Sequence, residues 1–143
     1  MDWLWVLLVA IRAVSPAPDN QWATTLVALD RTRAEAFATA DPGLLERVYV
    51  PGTGAARADA AAIGAYARRD GRVLGAELRI LSCHVVEATG DRVRLDVVDR
   101  LGPARVEWGD GTSTTLPRDE PSRRVLTLVR TADGWRIASS RSA

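Results

Sequence analysis

The sequence predicts an α+β domain, helices first and antiparallel strands second, with the helices packed on one side of the sheet. Three observations carry this expectation. Apolar residues recur at helical spacing as far as about Arg69, from Val73 the period becomes two, and the chain closes with two strand-like runs. Those runs, 123–130 and 135–139, are joined by Ala132-Asp133-Gly134. Asp-Gly between alternating apolar runs is a strong hairpin signal, because both residues tolerate the positive φ of a tight turn.

A chain of 143 residues matches one domain, which can bury about two-thirds of its unfolded surface without staples. The one cysteine, Cys83, has no internal partner for a bridge, and with one histidine, His84, a Cys/His zinc site cannot be assembled. Neither a metal nor a cofactor is expected. A net charge of +1 and a pI near 8.0 fall short of the basic footprint of a nucleic-acid binder, so no nucleic acid is expected as partner. All 19 basic residues are arginine. The adjacent pairs Arg68-Arg69 and Arg123-Arg124 read as solvated faces.

The chain divides into an apolar amino-terminal segment with its linker, 1–20, and a folded body, 21–143. Residues 3–11 are an unbroken apolar run, shorter than the roughly 20 residues of a membrane span. Asp2 stands where a secretory leader would be basic, and no small-x-small site follows. Two readings stay open. The run is the tail of an anchor that starts upstream, which associates the domain with a membrane outside the cytoplasm, or it is an amphiphilic extension packed on its own or a neighbouring domain, which leaves the protein cytoplasmic.

The first helix is expected over 21–40, where Trp22, Leu26, Leu29, Phe37 and Ala40 share one stripe. Asp30 and Arg33 intrude on that stripe, spaced to meet on one helix face. They are either an ion pair at the core's edge or the wall of a polar pocket in which Arg33 binds an anionic group oriented by Asp30. A second short helix opens with Asp41 as N-cap and Pro42 at N1, its apolar side formed by Leu44, Leu45, Val48 and Tyr49. A third, over 59–69, carries Ile63 and Tyr66 and stops at Gly71 in the C′ role. Tyr49 and Tyr66 read as core residues with hydrogen-bonded hydroxyls.

Alternation then predicts a strand over 73–86 with an irregularity near 81–83, and a second over 93–101. There the pattern slips at Val97-Val98, which suggests a bulge that re-aims Asp99 and Arg100. Gly102-Pro103 breaks this strand, and 105–108 with 112–116 form a hairpin across Gly109-Asp110-Gly111. Asp99 is the carboxylate on a middle strand best placed to be a buried acid or base. His84 is either a general base or a sheet histidine that shares a face with Leu78 and Ile80.

The order of elements, the Asp41-Pro42 that follows a long first helix, the Val48-to-Gly52 run VYVPG, and the closing Gly134-Trp135-Arg136-Ile137 resemble the nuclear transport factor 2-like superfamily. The resemblance spans about 21–141. It implies three helices on a strongly curved antiparallel sheet, the cystatin-like cone shared by SnoaL-type cyclases and ketosteroid isomerases. It also implies a pocket between helices and sheet for a small apolar ligand, and a homodimer paired through the sheet. The ligand-binding residues expected are Asp30, Arg33, Tyr49, Tyr66, His84 and Asp99. The carboxylate, tyrosine and protonated acid of isomerase chemistry cannot be matched residue by residue, and no catalytic residue is assigned. The preferred reading is a non-catalytic domain for small-molecule binding or protein interaction. The alternative is a cofactor-independent isomerase, cyclase or hydratase that uses Asp30 or Asp99 with Arg33 as electrophilic partner.

Overall fold

A computed structural model describes residues 18–143. The apolar run at the amino terminus lies outside the described residues, and the expected linker is shortened, because helix α1 starts at Pro18 and runs to Thr39. Leu26, Leu29, Ala36 and Phe37 bury its inner stripe. The helix ends in a Schellman arrangement: the Asp41 amide donates to Ala36 O (2.9 Å) and that of Ala40, at φ 51°, to Phe37 O (3.4 Å). Among the described residues no helix is long and apolar enough to cross a membrane.

The expected second helix is a 3-10 helix, Pro42–Arg47, capped by Asp41, whose side chain accepts from the Gly43 amide at 3.0 Å. Helix α2, Gly54–Ala67, starts more than a turn earlier than its spacing predicts, because Thr53 caps it by accepting from the Ala56 amide at 3.2 Å. The left-handed residue after α2 is Asp70 (φ 54°), not Gly71, which opens the first strand.

Seven strands follow: β1 (Gly71–Leu74), β2 (Leu78–Ala88), β3 (Arg92–Leu101), β4 (Arg105–Trp108), β5 (Ser113–Thr115), β6 (Ser122–Thr131) and β7 (Gly134–Ser142). They form two antiparallel sheets, ordered β1-β4-β5 and β2-β3-β6-β7. The single strand expected over 73–86 is therefore two strands in different sheets. Gly75, at φ 78°, separates them where the chain passes so close to Pro103 that a Cβ would stand 2.6 Å from its carbonyl oxygen. The expected bulge on β3 is absent. Val93, Leu95, Val97 and Asp99 alternate inward without interruption, and Val98 faces outward. The extra residue sits on β2: Ile80 pairs with Asp99 and Ser82 with Val98, which leaves Leu81 between them.

The core lies between the inner stripe of α1 and the inward residues of β3 and β6, among them Leu95, Leu126 and Leu128. After the 3-10 helix the chain runs alongside β7, where the Ile137 amide donates to Val48 O (2.8 Å) and the Val50 amide to Ile137 O (2.9 Å). Trp22 meets Trp135 edge-on at 4.8 Å, fixing the start of α1 over β7.

Gly75 and Gly52 both hold a positive φ, but nothing stands within 4 Å of a Cβ at Gly52. Gly52→Ala should cost about 1 kcal/mol for backbone strain alone, and Gly75→Ala about 2 kcal/mol or more because the methyl also meets Pro103. Urea denaturation of both variants checks this. Equal losses would show that the close approach at Gly75 carries no energy.

Candidate functional site

A cavity of about 200 Å³ lies between the helices and the inner face of the β2-β3-β6-β7 sheet. Leu26, Val48, Leu78, Ile80, Val97, Leu126 and Ile137 make most of its wall apolar, and Asp30, Arg33, Tyr49, Asp59, Asp99 and Arg124 supply the polar part.

Asp59 gathers one half of that polar wall. Helical spacing puts it on the face of α2 that also carries the buried Ile63. Its Oδ2 accepts from Arg33 Nε at 2.9 Å and from the Tyr49 hydroxyl at 2.6 Å. Burial and the neighbouring Asp59 charge push the Tyr49 phenol well above its ordinary range, so the proton stays on the tyrosine. Arg33 Nη1 also donates to Ala76 O (3.3 Å) and to Asp30 Oδ1 (3.4 Å), and its guanidinium stands 5.1 Å from the Phe37 ring centroid. Burial works against the Arg33 charge, but Asp59, Tyr49 and Asp30 outweigh it and raise its pKa.

Asp30 is held chiefly from the sheet side, because its Oδ2 accepts from the Leu78 amide at 2.8 Å. Burial raises its carboxyl above the ordinary 3.8, against the opposing pull of that amide and of Arg33, and Asp99 adds to the rise. Asp99, only 4% exposed, pairs with Arg124 from the neighbouring strand. Arg124 Nη1 reaches Ser140 Oγ at 3.4 Å, while its Nε is buried without a hydrogen-bond partner.

Of the residues singled out in the sequence, Asp30, Arg33, Tyr49 and Asp99 therefore line one cavity, and Tyr66 and His84 do not. Tyr66 lies on α2 with its ring 6.3 Å from that of Trp108, beside the smaller sheet. His84 faces outward opposite Asp96, because the extra residue Leu81 shifts the alternation of β2 by one and turns Cys83 and Val85 inward instead. Asp59 and Arg124 were missed. Each had a readable signal: Asp59 precedes Ile63 by one helical turn, and Arg124 shares strand parity with Leu126 and Leu128. The solvated face read for Arg123-Arg124 holds for Arg123 only, which pairs with Asp96 on the outer side through Nε (2.9 Å) and Nη2 (2.5 Å). Among the described residues no cluster of three or more His, Cys, Asp or Glu is arranged to hold a metal ion.

No family model matches the chain. No curated protein matches it either. Solved structures do. The intermembrane space region of chloroplast protein ARC6 aligns with 90% of this chain and 100% of its own, at 16% identity and a TM-score of 0.57. The Kfla4162 protein from Kribbella flavida covers 85% of this chain and 88% of its own, at 18% identity and 0.53. Aln2 from a Streptomyces species covers 88% and 90%, at 19% identity and 0.52. At these identities the likeness is one of fold: the chain shares the overall fold of these solved structures.

The raised Asp30 carboxyl sets a pH dependence. A folded pKa above the unfolded 3.8 means that the folded chain binds the extra proton, so the stability gained is complete below 3.8 and is lost as pH rises through the folded value. Asp30→Asn cannot titrate, yet its amide oxygen can still accept from Leu78. The stability of wild type relative to Asp30→Asn, from urea titrations between pH 3.5 and 8, should fall as pH rises. A relative gain toward high pH would mean that ion pairing with Arg33 outweighs burial.

Proposed function

We propose that this chain is a small-molecule-binding domain, with the helices and a curved β2-β3-β6-β7 sheet forming a cone around a compact, mainly apolar ligand. The observation that carries this reading is the cavity of about 200 Å³, apolar on most of its wall and polar at one side. Binding sites take this form, a hydrophobic enclosure with a few polar groups that set orientation. An apolar cavity of roughly 150 Å³ holds benzene, so the space here suits a single substituted ring.

Catalysis has less support. Arg33 is engaged by Asp59, Asp30 and Ala76, Arg124 by Asp99 and Ser140, and Tyr49 by Asp59. Groups so engaged orient a ligand more readily than they exchange protons with one. The one observation that favours an isomerase or hydratase is Asp30, whose carboxyl is lifted by burial toward the range of a general acid or base.

Toluene tests the binding reading. A ligand at 100 times its Kd stabilises the folded state by about 2.7 kcal/mol, a rise in melting temperature on the order of 10 °C for a domain of this size. Val97→Phe, which grows a ring into the cavity from β3, should remove the toluene shift while leaving the fold intact by circular dichroism. A shift that persists in Val97→Phe would place binding elsewhere, and no shift in wild type with toluene or its hydroxyl, amine and carboxylate relatives would end the small-molecule reading.

A further inference from the structure

The outer face of the β2-β3-β6-β7 sheet is turned away from the cavity, and strand parity loads it with arginine. Where Val93, Leu95, Val97 and Asp99 of β3 point inward, Arg92, Arg94, Asp96 and Arg100 point out. Arg123 and Arg141 join them from β6 and β7, because they alternate with Arg124 and Ser140 of the cavity wall. A groove of about 890 Å³ runs over this face. Its lining combines the uncharged Val125, Thr127 and Ser139 with Arg92, Arg94, Arg123 and Arg141.

Two of these four arginines are neutralised within the chain. Arg123 holds Asp96 through two bonds, and Arg94 stands 3.4 Å from Glu87. The other two, Arg92 and Arg141, are exposed and form no ion pair among the described residues. Beyond the groove Arg79 and Arg100 stand directly opposite each other across β2 and β3, also without an ion pair among the described residues. Like charges in that position destabilise a sheet. Carboxylates from outside the chain would offset all four.

The rest of the groove says where such carboxylates come from. Val86, 52% exposed, belongs to its lining and presents an apolar surface that a peptide side chain can cover and a phosphate chain cannot. Asp96 and Glu87 also interrupt the positive field along which a nucleic-acid backbone would lie. A second copy of this chain offers the same arginines in return, with Asp96 and Glu87 already paired. We propose that the outer face of the four-stranded sheet docks an acidic segment of a partner protein, its carboxylates on Arg92 and Arg141 and an apolar side chain over Val86. Nothing in this docking surface depends on what the cavity holds.

Fluorescence anisotropy tests it with a labelled peptide of about ten residues, glutamate and aspartate around one leucine, long enough when extended to cross the sheet. At about 50 mM salt the peptide should bind at least about tenfold tighter than its glutamine and asparagine counterpart, and about 500 mM salt should remove most of that difference. Arg92→Glu/Arg141→Glu should weaken the acidic peptide at least about tenfold with an unchanged circular-dichroism spectrum, since both side chains are exposed. Should that variant not fold, Arg92→Gln/Arg141→Gln takes its place, with a loss of about threefold or more expected. No binding of the acidic peptide, equal binding of the neutral one, or undiminished binding by the variant would overturn the assignment. So would tighter binding of duplex DNA or of phosphatidylserine vesicles, and a dimer in sedimentation that the variant splits would give the face to a second copy instead.

Discussion

The Asp59 carboxylate is the point on which the cavity's architecture depends. Arg33 from α1 and Tyr49 from the segment after the 3-10 helix converge on one of its oxygens, at 2.9 and 2.6 Å. Arg33 and Asp30 then reach across to Ala76 O and the Leu78 amide, at either end of the turn between the two sheets. Four separate pieces of chain are tied by one connected set of polar bonds. Removing one member of a buried charged set costs about 3 to 5 kcal/mol, because its partner is left charged and unpaired. The set is therefore a strong constraint on where α1 and α2 sit relative to the sheet, whatever its net contribution to stability.

That constraint explains why space remains inside. Apolar layers free to slide together would close on each other, since each buried methylene is worth about 0.8 kcal/mol. Here the polar groups of Asp30 and Arg33 fix the spacing part-way along α1, while Leu29, Phe37, Leu95 and Leu128 belong to the buried apolar core. The domain is well packed where apolar side chains meet and open where charged ones hold the walls. Gly75 contributes from the outside. By breaking the long strand it presents the Leu78 amide to Asp30 and sends β1 to the smaller sheet.

Elements were legible in the sequence wherever one period ran without interruption. The spacing of α1 placed Asp30 and Arg33 on its inner stripe, and Asp99 was expected to be buried on β3, although by way of a bulge at Val97-Val98 where the structure has plain alternation with Val93, Leu95 and Val97. Reading failed where a single residue changed the phase. The irregularity expected near 81–83 is there, at Leu81, but its change of phase was not carried through to His84, which it turns outward; and Gly75 cut one strand into two, because a positive φ at glycine leaves no trace in hydropathy. The Asp59 contact was hidden for a different reason. Nothing local links residues 33, 49 and 59, and only the packing of α2 against α1 brings them within hydrogen-bonding distance. Arg124 was obscured by its neighbour, since two adjacent arginines look alike in composition although strand geometry sends them to opposite faces.

The same geometry limits what chemistry this cavity can host. Asp30 is the carboxylate whose proton burial favours, which suits acid-base work, but its Oδ2 is pinned by the Leu78 amide and its Oδ1 faces Arg33. An acid or base must present a lone pair to substrate, and each of these bonds takes up part of that capacity. With the Tyr49 proton held against Asp59 and Arg33 surrounded by acceptors, the half of the wall built on α1 and α2 serves mainly to position. The opposite half, Arg124 with Asp99, retains an unfilled donor. The helical side thus supplies the frame that holds the walls of the cavity apart.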